Sequence, residues 1–173
     1  MRELVVSIRR ARPDDAVALT RVHDASWREA YQGILPGVTL ERLISRRGPR
    51  WWSEFAIRSR REGARRMLVL DVGEEVGGYV IYGANRNPSL PYQGEIDAIY
   101  LAPVFHGLGL GRKLFRAARN DLASRKLRGA VVWCLDANER GRSFYASMGG
   151  TPLTRSALHV GGVAYDSTAY AFS

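Results

Sequence analysis

His106-Gly107-Leu108-Gly109-Leu110-Gly111 is the segment whose residue types and spacing carry the clearest chemistry. Its alternating glycines precede a helical pattern, so successive backbone N–H groups stand free at a helix N-terminus. Such a place binds anions, because the unpaired donors and the positive end of the helix dipole point the same way. Glycine also lets the backbone approach a ligand with no side chain in between. Arg112, Lys113 and Arg116 crowd the first two turns of the same helix. Positive charge there opposes the dipole at a cost of ~0.3–1 kcal/mol per residue. A bound polyphosphate reverses that sign; the other reading is that a very basic chain places arginines anywhere. Other phosphate loops fit worse. A dinucleotide fingerprint needs G-x-G-x-x-G, and here Arg112 stands at the third glycine position. A Walker A loop needs Gly-Lys-Ser/Thr, whereas Gly111 is followed by Arg112-Lys113-Leu114.

The elements around this loop follow from periodicity. The helix after it spans Gly109 to Lys126, where Leu110, Leu114, Ala118 and Leu122 recur every four residues beside Phe115. Glu95 to Leu101 reads as the strand before the loop. Ala130 to Leu135 is continuously apolar, as a strand buried on both faces requires. This strand–helix–strand unit is expected to be parallel. Upstream, Val5 to Arg9 reads as a strand, and Pro13-Asp14-Asp15 starts a helix ending near Ser26. Trp27 to Gly37 reads as a short helix plus loop. Thr39 to Ile44 and Arg50 to Glu62 read as helices split at Gly48-Pro49. Met67 to Asp71 and Val76 to Tyr82 form a hairpin around Gly73-Glu74-Glu75, and Asn85 to Pro91 is a loop. Gly141 to Met148 is a short helix. Terminal strands lie near Thr151–Val160 and Val163–Phe172. The order β-α-α-β-β-β-α-β-α-β-β predicts an α/β fold with a mixed sheet, mostly antiparallel, flanked by helices.

Composition sets the outer bounds. A chain of 173 residues, 46% hydrophobic and 25% charged, suits one globular domain over 1–173 with a core of its own. Cys134 is the only cysteine, which excludes an internal disulfide and a cysteine-built metal site, and suits a reducing cytoplasm. The apolar run Met1-Arg2-Glu3-Leu4-Val5-Val6 is too short for a signal peptide, and no stretch approaches the ~20 apolar residues of a membrane span. The net charge of +9 favours an anionic partner: nucleic acid, an acidic protein or a phosphorylated small molecule. Arg46-Arg47, Arg58, Arg60-Arg61 and Arg65-Arg66, with Trp51-Trp52 to stack bases, allow a nucleic-acid-binding module. Against it, no helix-turn-helix, zinc-finger or RNA-recognition sequence is present. Trp51 and Trp52 are adjacent and cannot both face one core, so one of them lines a pocket or a contact surface.

The loop in its context resembles the GNAT superfamily of acyl-CoA N-acyltransferases. That family's pyrophosphate loop reads Gln/Arg-x-x-Gly-x-Gly/Ala, and His106 to Gly111 matches it except at the first residue. Glu95-Ile96-Asp97-Ala98-Ile99-Tyr100-Leu101-Ala102-Pro103 resembles the family's fourth strand. Asp136-Ala137-Asn138, Ser143-Phe144-Tyr145 and Met148-Gly149-Gly150 resemble its fifth-strand end and next helix. Ile8-Arg9-Arg10-Ala11 with Asp14-Asp15-Ala16 is similar to its start.

The resemblance implies acetyl transfer from acetyl-CoA to a primary amine by direct attack, in a small molecule or a protein, with no metal. A non-catalytic acyl-CoA sensor is the other member of this class of reading. It implies that Ile99 and Leu101 pair through their backbones with the cofactor's pantetheine arm in a splay between two strands. Gly107, Leu108, Gly109, Gly111 and Arg112 belong to the pyrophosphate site. His106 either donates to phosphate or leaves the binding to the backbone. Asn138 bonds the arm, caps the following helix, or both. Attack requires a neutral amine, whereas a lysine-like amine has a pKa near ~10.4, so a base or a water chain takes its proton. Glu95 and Asp97, two apart, face one side of their strand. Glu95 is favoured as the base, because the family often places a glutamate there, and an ion pair with an arginine is the structural alternative. Tyr145 stands at the family's general-acid position. Trp27 and Tyr31 fall in the region that walls the acceptor pocket, where they also serve as core. Cys134 reads as a small core residue. Many relatives dimerise, and the terminal strands are the natural place.

Overall fold

The computed structural model describes residues 3–173, so Met1 and Arg2 of the N-terminal run lie outside the described residues. The strands are β1 (Val6–Arg10), β2 (Arg66–Val72), β3 (Glu75–Ala84), β4 (Gly94–Leu101), β5 (Ala130–Leu135), β6 (Thr151–Val160) and β7 (Val163–Phe172). The helices are α1 (Ala16–Tyr31), α2 (Gly37–Ser45), α3 (Pro49–Arg58), α4 (Leu110–Ser124) and α5 (Glu139–Ser147). One seven-stranded sheet takes the order β1-β2-β3-β4-β5-β7-β6. Every neighbouring pair is antiparallel except β4 and β5. The mixed, mostly antiparallel sheet expected from the sequence is the sheet observed.

Burial on both faces explains the unbroken apolar strands. In β2, Leu68 and Leu70 point to one face and Met67 and Val69 to the other. The first face packs under α4 and α5, with Leu114, Phe115, Ala118 and Leu122 forming the apolar stripe of α4. The second face packs under α1 and α3, around Leu19, Trp52, Ala56 and Tyr79. Trp52 is fully buried, edge-on to Tyr79 at 4.8 Å, and donates Nε1–H to Arg47 O at 2.9 Å. Trp52→Ala should therefore cost ~3–5 kcal/mol of unfolding free energy, read from the shift of a denaturant midpoint.

Two expectations change. Helix α1 runs on to Tyr31 instead of ending near Ser26. Ser26 bonds back to His23 O, Trp27 packs on the His23 ring, and no glycine or proline intervenes before Gly33. The helices expected on either side of Gly48-Pro49 are α2 and α3, so three α-helices lie between β1 and β2, one more than the coarse element order counted. The proposed base-stacking pair is likewise corrected: Trp52 is core, and only Trp51 reaches a cavity.

Candidate active site

The site begins where β4 and β5 part. They pair at Gly94↔Ala130, Glu95↔Val131 and Ile96↔Val132, and no further. The β3–β4 register slips at the next residue: Tyr82 pairs with Ile96 and Ile81 with Ala98, which leaves Asp97 as an extra residue. A bulge of this kind bends its strand and increases its twist. The rest of β4 stays bound to β3, while Trp133 to Leu135 of β5 stay bound to β7. Two inner strand edges are left facing a gap. Ala102 N donates to Gly77 O on the β3 side, so by alternation the amides and carbonyls of Ile99 and Leu101 face the gap. An extended ligand can pair there as an added strand.

The glycine loop closes one end of this gap. Gly107 and Gly109 have φ of +76° and +75°, the left-handed region that glycine enters without strain. A Cβ on Gly111 would stand 3.1 Å from the Phe144 ring, so its glycine allows α4 to approach α5. Gly109 is the N-cap of α4, and the helix ladder begins with Lys113 N bonding Gly109 O. The amides of Leu110, Gly111 and Arg112 precede that ladder and are free donors. No side chain caps this terminus and no acidic residue lies in its first turn.

The His106 side chain is turned to partners within the protein. Its Nε2 lies 3.1 Å from Leu101 O and its Nδ1 lies 2.6 Å from Arg140 Nη1. The guanidinium can only donate, so Nδ1 accepts and Nε2–H donates to the carbonyl. Arg140 continues to Glu29 of α1 at 3.3 Å. The imidazole thus ties the end of β4 to α5 and α1.

Helix α5 supplies the opposite wall. Asn138 Oδ1 accepts from Gly141 N at 3.0 Å and caps the helix, while the residue also lines the cleft, so both suggested roles are geometrically open. Gly141 is required by this cap, since a Cβ there would stand 2.7 Å from Asn138 Nδ2. Tyr145 packs among Phe115, Phe144 and Tyr170 and lines the same cleft of about 650 Å³. Burial raises its phenol well above the ordinary 10.0, so it keeps its proton. Burial also pushes the Cys134 thiol up to about 11, which leaves it protonated.

A second cavity of about 590 Å³ meets the first at the splay; Tyr31, Asp97, Ala98, Tyr100, Trp133 and Cys134 belong to both. Trp27 and Tyr31 do share a helix face, with ring centroids 5.2 Å apart, and both line this second cavity. Tyr31 Oη and Tyr100 Oη are 2.6 Å apart at the junction. Glu95 takes the ion-pair arrangement. It is buried, bound to Arg86 at 2.7 Å and Arg65 at 3.2 Å, and it lies where β4 and β5 are still paired. Its carboxylate lines neither cavity, whereas Asp97, held by the same two arginines, lines both.

Arg140, Phe144, Tyr100 and Trp133 escaped the sequence reading. Each is unremarkable in its local stretch, and only the register of β4 and the packing of α5 bring them to the gap. Five of the seven arginines counted toward a nucleic-acid surface have partners within the chain: Arg65 on Glu95 and Asp97, Arg66 on Asp121, Arg60 on Ala11 O, Arg47 over Trp51, and Arg58 over Phe55.

Comparisons with known proteins bear on this geometry. A probable N-acetyltransferase of Mycobacterium tuberculosis is 28% identical over 141 residues, covering 81% of this chain and 76% of the relative. The PaiA N-acetyltransferase of Thermoplasma acidophilum, solved in complex with coenzyme A, superposes with a TM-score of 0.76 at 19% identity, over 95% of this chain and 98% of that one. The ribosomal-protein-S18-alanine N-acetyltransferase of Escherichia coli superposes at 0.67 with 14% identity, over 97% and 93%. At such identities the structures show the fold alone. The acetyltransferase (GNAT) family profile, however, matches residues 20–149, which include the splay, the glycine loop and α5, and the chain belongs to that family of N-acetyltransferases.

Proposed function

We propose that the protein transfers an acetyl group from acetyl-CoA to a primary amine by direct attack, with both substrates bound at once. The observation that carries this reading is the parted β4–β5 edge leading into the free amides at the start of α4, with a second cavity opening on the splay. The amides of Leu108 to Arg112 and the basic first turns of α4 suit a pyrophosphate. The backbones of Ile99 and Leu101 and the side chain of Asn138 suit an amide-bearing arm. The coenzyme A bound by the Thermoplasma relative supports the same class of cofactor.

Acetyl-CoA supplies the activated thioester. The amine nitrogen bonds the acetyl carbon as that carbon's bond to sulfur breaks. Asp97, directly or through water, takes the proton the amine gives up, and Glu95 acts as a positioning residue through Arg65 and Arg86. Tyr145 Oη holds the proton that the leaving sulfur takes up. The N–H of Leu101 polarises the carbonyl. The sole cysteine is a buried, protonated thiol, which supports attack without an acyl-enzyme. Trp27 and Tyr31 wall the acceptor side.

No group of His, Cys, Asp and Glu among the described residues could hold a metal, and none is used here. No helix of the described residues is long and apolar enough to cross a membrane, and a cytoplasmic site of action is part of this reading. Strand β6 forms one edge of the sheet and is exposed along almost its whole length, which supports this strand as the place for a homodimer contact.

A thermal melt with acetyl-CoA, NAD or a short DNA duplex tests the proposal. Acetyl-CoA at 100 times its Kd should stabilise the fold by ~2.7 kcal/mol, a shift of several degrees. A shift with DNA alone would overturn the reading. A shift with acetyl-CoA but no CoA release with any amine would leave a sensor.

A further inference from the structure

We propose, building on the acetyltransferase reading, that the acceptor is a small primary amine with an apolar or aromatic body and a carboxylate, and that Arg47 binds that carboxylate. The second cavity is walled by Trp27, Tyr31, Trp51, Phe55, Tyr100 and Trp133, an aromatic lining suited to an apolar body. Its charged groups do not cancel. Arg65 and Arg86 are matched by Glu95 and Asp97, two cations against two carboxylates. Arg47 is left over. It lines the cavity, is half-buried, and has no carboxylate partner among the described residues.

Arg47 is nevertheless held in place. Its guanidinium lies 4.7 Å from the Trp51 ring centroid and 5.4 Å from that of Trp27. Aromatic faces on a guanidinium fix its plane while leaving its N–H edge free, and that edge matches a carboxylate. Its backbone is fixed as well, because Arg47 O accepts from the buried Trp52 Nε1 at 2.9 Å. Its charge is felt nearby: burial, and then Arg47, hold His23 down at about 4. A fixed, unmatched cation beside the acceptor space repels a polyamine or a lysine-rich peptide. The same cation attracts an amine that brings its own negative charge.

Two matched pairs of probes test this. L-phenylalanine is compared with phenethylamine, and 4-(aminomethyl)benzoate with benzylamine, with spermidine as a cationic control. CoA release gives rates, and quenching of tryptophan fluorescence gives binding. In at least one pair the carboxylated member should have a kcat/KM about tenfold or more above its partner, as expected for one charge-assisted contact. Arg47→Gln should erase that preference, with the loss falling on the KM of the carboxylated member. Arg47→Lys, which keeps the charge but not the planar fork, should retain part of it and guards against a misfolded variant. The inference is overturned if spermidine or the uncharged members are preferred, if no carboxylated probe is favoured in rate or binding, or if Arg47→Gln leaves the preference intact. Failure to bind acetyl-CoA, measured in the same samples, would instead sink the acetyltransferase reading.

Discussion

Gly109→Asp should remove most of the stabilisation of the protein by acetyl-CoA while leaving the fold in place. Gly109 caps α4 with φ of +75°, and a Cβ there would meet nothing within 4 Å. The substitution therefore costs only left-handed backbone strain, ~1–2 kcal/mol, and aspartate is among the residues that tolerate that region best. Its carboxylate, however, stands at the mouth of the free amides, where the pyrophosphate of acetyl-CoA belongs in the reading proposed here. Two like charges would then compete for the same donors. We expect affinity to fall by ~100-fold or more, about 2.7 kcal/mol. At a concentration 100 times the wild-type Kd, the stabilisation would drop from ~2.7 to ~0.4 kcal/mol. Gly109→Ala separates the causes, since it brings at least as much backbone strain without the charge and should keep most of the binding. A wild-type acetyl-CoA shift in the aspartate variant would mean that the loop does not hold the pyrophosphate.

Tyr145→Phe should lower kcat by ~10²-fold with acetyl-CoA binding and melting temperature almost unchanged. The ring is 8% exposed and packs on Phe115, Phe144 and Tyr170, contacts that phenylalanine reproduces. Only the hydroxyl is lost. Burial raises that hydroxyl above its ordinary 10.0, so wild-type enzyme keeps the proton at physiological pH and should show no loss of rate from Tyr145 below that value. An unchanged turnover number would remove Tyr145 from the chemistry and leave it as a wall of the cleft.

The two carboxylates of β4 show how far residue types carry an argument. Their spacing placed Glu95 and Asp97 on one side of the strand, and both do meet Arg65 and Arg86. Spacing says nothing about which of them faces a cavity. That was decided by the bulge at Asp97, a register slip against β3 with no mark in β4's own sequence. His106 is similar. Its position in the loop was legible, but its partners, Leu101 O and Arg140, are five and 34 residues away, beyond what the loop's own sequence shows.

Local chemistry, then, was readable from the chain alone. Positive-φ glycines, the every-four apolar stripe of α4, the continuous apolar run of β5 and the terminal hairpin are short-range signals, because backbone sterics and burial periodicity act within a few residues. They placed the glycine loop, the strand before it and the class of fold. What the tertiary structure decided are long-range pairings: the end of β4–β5 pairing at Ile96, the meeting of two cavities there, the matching of Arg65 and Arg86, and the stranding of Arg47 between two tryptophans. Such pairings depend on the register of strands and the packing of helices far apart in sequence, where one residue of slip turns a side chain to the opposite face.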